Sequence, residues 1–289
     1  MDFEAVIRRD HPRLNISKFN RISGGWASDT FEVNEKYIFR FPRLAPSKSN
    51  LRKEIRLLPA LAQTLNFKVP DFEFVNEDVP YVGYKKIEGI QINKCDLDSD
   101  ELAKDIAQCI LQIHGFPRKR ALEKSVQEID WYRNYTNFYE KIQNECFQYL
   151  DEAVQKNASA LFESFLGEKE NFTFVPKFIH QDLSAEAHIL CDFKTNRVVG
   201  IIDWEDACIG DPAIDFTGIL WDCGEKFAEQ VIRHYGKLGG VLDGSFRDRN
   251  RFYRNIGSFH EILYGLEIES SEQIMKGVGK VTAEFSEPI

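Results

Sequence analysis

No stretch of this chain approaches the ~18 consecutive apolar residues that a membrane-spanning helix needs, so neither a transmembrane segment nor a membrane partner is expected. Residues 1–10, MDFEAVIRRD, lack the apolar core of a secretory leader, which makes a cytoplasmic protein the expectation. Paired cysteines are missing too. The six cysteines, at 95, 109, 146, 191, 208 and 223, include no C-x-x-C and no zinc-like grouping, and they read as reduced thiols in apolar surroundings. Basic residues are in the minority, 37 against 46 acidic ones. The resulting net charge of -9 argues against nucleic acid as a partner and leaves a cationic ligand as the one long-range steering favours. Mild acidity also serves solubility alone, and the charge does not separate the two readings. Internal repeats, low-complexity tracts and a G-x-G-x-x-G phosphate loop are all absent.

What is present describes an ordinary globular chain, 43% hydrophobic and 29% charged, with length enough at 289 residues for one or two domains. Residues 19–42 alternate in strand fashion, and Asn34-Glu35-Lys36 between Phe31/Val33 and Tyr37/Phe39/Phe41 predicts a hairpin. Ser23-Gly24-Gly25-Trp26-Ala27-Ser28-Asp29 is a turn-rich link ahead of it. Leu51, Ile55, Leu58, Leu61 and Leu65 follow helical spacing, with Pro59 expected to kink or interrupt that helix. Strand-like runs return at Phe72–Val75 and Tyr81–Ile87. Beyond residue 88 the pattern turns helical, first at Leu102/Ile106/Ile110/Leu111 and then along the aromatic stretch Trp131–Leu150. Ser270–Gln273 reads as a capping box opening a last helix. The expectation is an α+β, bilobal fold on the protein-kinase plan. A small antiparallel sheet lobe with one main helix (1–88) precedes a larger, mostly helical lobe (89–289), with a hinge near Glu88-Gly89.

One segment carries chemistry. His180-Gln181-Asp182 follows the short apolar run Phe178-Ile179, His188 comes six residues after Asp182, and Asp203 ends the strand-like run Val198–Ile202. A kinase catalytic loop is spelled H-R-D-x-x-x-x-N with a D-F-G aspartate downstream, and this stretch is similar to both. Phosphoryl transfer needs those parts: an Asp to hold the attacking hydroxyl, and ligands for the metal that neutralises the phosphates.

With Tyr37–Arg43, Gly210-Asp211-Pro212-Ala213-Ile214-Asp215 and Ile262-Leu263-Tyr264-Gly265 added, nearly the whole chain resembles the aminoglycoside phosphotransferases, the small-molecule branch of the kinase-like fold. It is most similar to the 2''-phosphotransferases, and its motifs also resemble those of macrolide phosphotransferases. The order H-x-D, I-I-D-W, G-D-P-x-x-D is what makes the resemblance specific. It implies that Asp182 is the catalytic aspartate and that Asp203 and His188 hold the metal. It further implies that His180, Asp211 and Asp215 support the loop, with Asp215 its anchor. Arg40 stands where kinases carry a phosphate-binding Lys, paired with a helix glutamate, here Glu54; the alternative is a solvent-facing strand charge. Ser28 and the preceding glycines would cover the phosphates, and Lys85-Lys86-Ile87 would be the hinge that binds the purine, of ATP or GTP.

Two departures stand out. The loop holds one more residue between Asp182 and His188 than the resembling sequences do, so Glu186, a harder oxygen donor, is an alternative ligand. Imidazole suits softer metals than magnesium, so Mn2+ should be tolerated beside Mg2+, and activity should fade in acid as the ring takes up a proton. Arg40 and the longer loop also support a non-catalytic, nucleotide-binding pseudokinase. On the substrate side, Asp222, Glu225, Glu261, Glu267 and Glu269 are expected to wall the cleft for a polycation, while Trp221 and Tyr264 keep a macrolide or other hydroxylated metabolite open. The leading expectation is a magnesium-dependent kinase. It would move the γ-phosphate of ATP or GTP onto an aminoglycoside-like antibiotic as a monomer.

Overall fold

The computed structural model describes residues 1–22, 25–43 and 45–287. Ser23 and Gly24 of the turn-rich link lie outside the described residues. The chain opens on helix α1 (Phe3–Asp10), capped by the Asp2 carboxylate on the Ala5 amide. Strands β1 (Phe19–Ile22), β2 (Ser28–Val33) and β3 (Tyr37–Pro42) follow, then helix α2 (Ala45–Ala62) and strands β4 (Phe72–Asn76) and β5 (Tyr81–Lys85). These strands form one antiparallel sheet in the order β1-β2-β3-β5-β4. Asn34 and Glu35 both take left-handed backbone (φ 56° and 58°), which lets a tight turn join β2 to β3 without splaying them. Ile7, Phe31, Val33, Phe39, Phe41 and Tyr81 make a small core on one face of the sheet.

Helix α2 continues through Pro59, so of the two expected outcomes, a kink or an interruption, the interruption does not occur. Proline removes one backbone hydrogen bond from the last turn, but Leu57, Leu58 and Leu61 bury into the larger core of the molecule and hold that turn in place. The helix is thus a seam: its glutamate side meets the small sheet, and its C-terminal half belongs to the other lobe.

Strand β6 (Ile90–Gln91) is the first piece of the larger part, pairing with β8 (Ile189–Asp192), which pairs in turn with β9 (Arg197–Ile201). Between them lie α3 (Asp100–His114), α4 (Arg118–Glu123), α5 (Trp131–Lys141), α6 (Glu152–Gly167) and β7 (Lys177–Ile179). Helix α5 continues through a π-helical turn, Ile142–Cys146, and a short 3-10 turn, so the aromatic stretch is one helical run. Strand β10 (Cys208–Gly210) pairs with β7, and α7 (Thr217–Cys223), α8 (Glu225–Lys237), α9 (Phe246–Ile256), α10 (Ser258–Glu267) and α11 (Ser271–Phe285) complete the chain. The Ser270 hydroxyl caps α11 at the Gln273 amide, as its sequence predicts. Cys109, Cys146, Cys191 and Cys208 are buried free thiols. Among the described residues no helix is long and apolar enough to cross a membrane.

Candidate active site

A cavity of 770 Å3 opens between the small sheet and the helices, within the range of small-molecule sites. Its floor is the segment singled out in the sequence. Strand β7 delivers His180, and the chain turns sharply at Gln181, which holds a left-handed φ of 74°. That conformation strains a residue with a Cβ, by about 1–3 kcal/mol. What maintains it is Asp215, fully buried, whose two oxygens accept the amides of His180 (3.0 Å) and Gln181 (2.8 Å). Buried His114 holds Asp215 from behind at 3.1 Å. His180 is itself an organiser: its Nε2 meets the Ile202 carbonyl at 3.0 Å, and burial pushes its pKa down, with the neighbouring His188 adding to that.

The turn leaves Asp182 exposed at the cavity floor. The additional loop residue is absorbed in a helical turn. Ser184 O accepts the His188 amide (2.9 Å), while Ser184 Oγ accepts the Ala187 amide and donates to Asp222. His188 lines the cleft. Its Nδ1 sits 2.5 Å from the Asp182 carbonyl and donates to it, which leaves Nε2 on the Asp203 side. One imidazole separates the two key carboxylates: Nδ1 lies 3.7 Å from Asp182 Oδ2, and Nε2 lies 3.7 Å from Asp203 Oδ2.

Asp203 also adopts left-handed backbone (φ 68°), just past β9, turning its carboxylate into the cleft. Its Oδ1 accepts Arg40 Nη2 at 2.8 Å. Burial opposes the charge on Asp203, but Arg40, His188 and His180 together hold its pKa below the ordinary range. Arg40 is no solvent-facing strand charge. It is buried, with Nη1 on both oxygens of Glu54 (3.2 Å each) and Nη2 also on Glu205 (3.1 Å). Glu54 accepts the Trp204 amide as well, at 3.1 Å, so α2 is tied to the Asp203 turn. Three carboxylates share one guanidinium here. Burial drives the pKa of Glu54 up, and that of Glu205 up to about 8, with Arg40 pulling both the other way.

The donor set suits a hard cation in part. Asp203 Oδ2 and His188 Nε2 face one point, and magnesium completes such a half-site with water and phosphate oxygens. Among the described residues no cluster of three or more metal-ligating side chains exists, so a cation here depends on oxygens brought by a ligand. Glu186 is not among the cavity-lining residues; its amide donates to Asp222 at 3.0 Å.

Several expected residues lie elsewhere. Asp222 accepts from the Ser184 hydroxyl and the Glu186 amide and is not among the residues lining the cavity. Glu225 pairs with Arg251 at 2.9 Å outside the cavity, Glu261 is buried against Lys280, and Glu269 ends the turn after α10. Of the five acidic residues assigned to the wall, only Glu267 lines the cavity. Lys85 turns away to pair with Glu73 at 2.7 Å, and Ile87 is buried over Gly200, where a Cβ would meet its Cγ2 at 2.8 Å. Neither Lys85 nor Ile87 is among the residues lining the cavity. Asp211 is buried under Arg249 and Tyr253, remote from the cavity lining. Ser28 does line it.

The structure adds residues the sequence did not single out. Glu205 and Asp206 line the cavity just after Asp203, a density of acid visible in the string Asp203-Trp204-Glu205-Asp206. Lys141, Phe138 and His260 line its far side, and Trp26 from the loop before β2 stacks on Tyr264 of α10 (centroids 4.5 Å apart, planes at 5°). No local pattern in the sequence announces that pairing.

Residues 18–250 match the sequence profile of the phosphotransferase enzyme family. An uncharacterized protein of Bacillus subtilis (strain 168), YcbJ, is 22% identical over 222 residues, covering 71% of this chain and 69% of that one. Viomycin phosphotransferase of Streptomyces vinaceus is 28% identical over 102 residues, 35% of this chain and 34% of its own length. Among solved structures, a GDP and kanamycin complex of the 2''-aminoglycoside phosphotransferase IIIa superposes with a TM-score of 0.90 at 25% identity, covering 98% of each chain. Macrolide 2'-phosphotransferase type I superposes with a TM-score of 0.81 at 19% identity over 96% of each chain, a likeness of fold alone. An exposed loop aspartate, a strand-end aspartate and a buried cation–glutamate pair converge in one cleft of that fold, and the chain belongs to the phosphotransferase enzyme family.

Proposed function

We propose that this enzyme transfers the γ-phosphate of a nucleoside triphosphate to a hydroxyl of an aminoglycoside-like antibiotic. The observation that carries this reading is the single imidazole, His188, standing 3.7 Å from both Asp182 and Asp203 on the floor of one cleft. Asp182 is placed to accept a hydrogen bond from the substrate hydroxyl and aim it at the phosphorus. Asp203 and His188 would hold Mg2+, with Mn2+ tolerated; the cation supplies charge neutralisation at the transferring phosphoryl group. Arg40, held by Glu54, lines the cleft with Ser28, and the two would meet the nucleotide's phosphates. Asp206 and Glu267 give the cavity acidic walls for an amino sugar.

A second reading has its own support. Trp26, Phe138, Leu263 and Tyr264 make the far wall largely apolar, and Lys141 adds a positive charge there. That lining suits a macrolide or another weakly charged, hydroxylated molecule. One experiment separates the readings: nucleotide-dependent phosphorylation of kanamycin, gentamicin, viomycin and erythromycin, followed with ATP and with GTP. Aminoglycoside turnover that Asp182→Ala lowers by about 10²–10⁴-fold supports the first reading. Turnover of erythromycin alone selects the second. Nucleotide binding with no transfer to any acceptor would leave a non-catalytic binder.

A further inference from the structure

A second cavity, of 410 Å3, lies on the other flank of α2, between that helix and the segment leading into the catalytic loop. Its lining is unlike the rest of an acidic chain. Arg52, Lys53 and Arg56 face it from neighbouring positions of α2, with Gln127 and Gln181 opposite and Asp206 as the one carboxylate. Three cations against one acid is a local reversal in a protein with net charge -9.

Asp206, Glu54 and Glu205 act on the Lys53 charge from a distance, but direct pairing of these cations is sparse. Lys53 is half-buried and donates to the Ala207 carbonyl at 2.8 Å; burial lowers its pKa. Arg56 donates to Ser125 Oγ at 3.0 Å. Among the described residues neither has a carboxylate within ion-pairing distance, and Arg52 reaches only Glu77, at 3.8 Å. The Asp206 side chain is turned to Asn50, at 3.5 Å, and forms the partition between this cavity and the catalytic cleft. An ammonium keeps two further N–H groups and a guanidinium four, so most of the donors converging here remain available.

We propose that this cavity is a binding site for a phosphate dianion, separate from the site of the nucleotide's phosphates. A guanidinium fork beside a compact ammonium matches a tetrahedral oxyanion, and the glutamine amides add neutral donors of the right polarity. The anion could come as free inorganic phosphate or as the phosphomonoester of a small metabolite, since the volume exceeds what a bare ion fills.

The test uses the full chain and two probes, orthophosphate and glucose 6-phosphate, titrated calorimetrically at constant ionic strength. Each titration is run without nucleotide and again with a non-hydrolysable nucleotide and metal filling the cleft. Saturable binding that survives nucleotide, and that weakens about tenfold or more in Lys53→Met and in Arg56→Met, is expected. Lys53→Arg should keep affinity within about threefold, separating loss of charge from loss of fold. Tighter binding of the ester identifies a metabolite as the source; equal affinity identifies inorganic phosphate. Three results would overturn the proposal. They are no saturation by either probe up to about 50 mM, binding unchanged in both Met variants, and binding abolished by nucleotide, which would put the anion in the cleft.

Discussion

Arg40 and Asp203 touch across the cleft, Nη2 to Oδ1 at 2.8 Å, one side chain from the small sheet and the other from the turn after β9. The contact joins the two lobes through a charge that is almost wholly out of water. Removing the guanidinium strands Glu54 and Glu205 in a dry pocket. Arg40→Met is therefore expected to destabilise the fold by about 3–5 kcal/mol, measured by urea denaturation. A loss below about 1 kcal/mol would mean that the carboxylates find other partners or water.

Asp215 acts through the loop it anchors. Asp215→Ala leaves two buried amides and one imidazole without their acceptor, a loss of about 2–5 kcal/mol. Because Gln181 then relaxes from its left-handed turn, kcat should fall while nucleotide affinity stays close to that of the parent. Equal losses in kcat and in nucleotide binding would contradict the assignment.

Gly218 tests loop position without touching a charge. A Cβ built there would lie 2.2 Å from the Leu183 carbonyl oxygen and 2.8 Å from Ser184 Cα. Gly218→Ala must push the residues right after Asp182, and a shift near 1 Å in a positioned group can lower the rate by about a hundredfold. Steady-state kinetics beside a thermal melt would separate this from unfolding.

His188→Asn replaces an imidazole by the amide that kinases carry. If His188 is a metal ligand, the ratio of activity with Mn2+ to activity with Mg2+ should fall in the variant, because oxygen ligands favour the harder ion. An unchanged ratio would remove His188 from the ligand set.

Stability in acid should report on Asp10. Its carboxylate accepts from Arg9, Asn76 and Tyr81, and the Arg9 contact leads in pulling its pKa down to about 2. A depressed carboxylate stabilises the fold fully above its unfolded pKa of ~3.9 and loses that contribution as pH falls towards the folded value. The stability gap between the parent and Asp10→Asn should be constant above pH ~5 and should narrow between pH ~4 and ~2. A gap that widens in acid would show the opposite linkage.

How much of this could be read beforehand depended on how local the signal was. The β2–β3 hairpin is written in its alternation and in the turn Asn34-Glu35, and the meeting of His180, Asp182, His188 and Asp203 in their spacing. Helix α1 is too short for its apolar spacing, Phe3, Val6 and Ile7, to stand out in the sequence, although all three pack on the small-sheet core. Pro59 does not end α2, since packing of Leu57, Leu58 and Leu61 outweighs a local preference. Four of the five residues expected in the acidic wall lie elsewhere, for a different reason. Asp222 answers to Ser184, Glu225 to Arg251 and Glu261 to Lys280, and such long-range pairings decide where a carboxylate points. Acidic composition on a helix says nothing of its partner. Glu205 and Asp206, by contrast, sat in plain view beside Asp203 and mattered more than their spacing suggested.

The stacked rings of Trp26 and Tyr264 both line the cleft, with Arg43 Nη1 donating to the Tyr264 hydroxyl at 3.5 Å. The loop before β2 and helix α10, distant in the chain, are thereby clasped by a ring face worth about 0.5–1.5 kcal/mol. Trimming the indole to alanine should free that loop from the helix, and amide exchange in both segments should quicken in the variant.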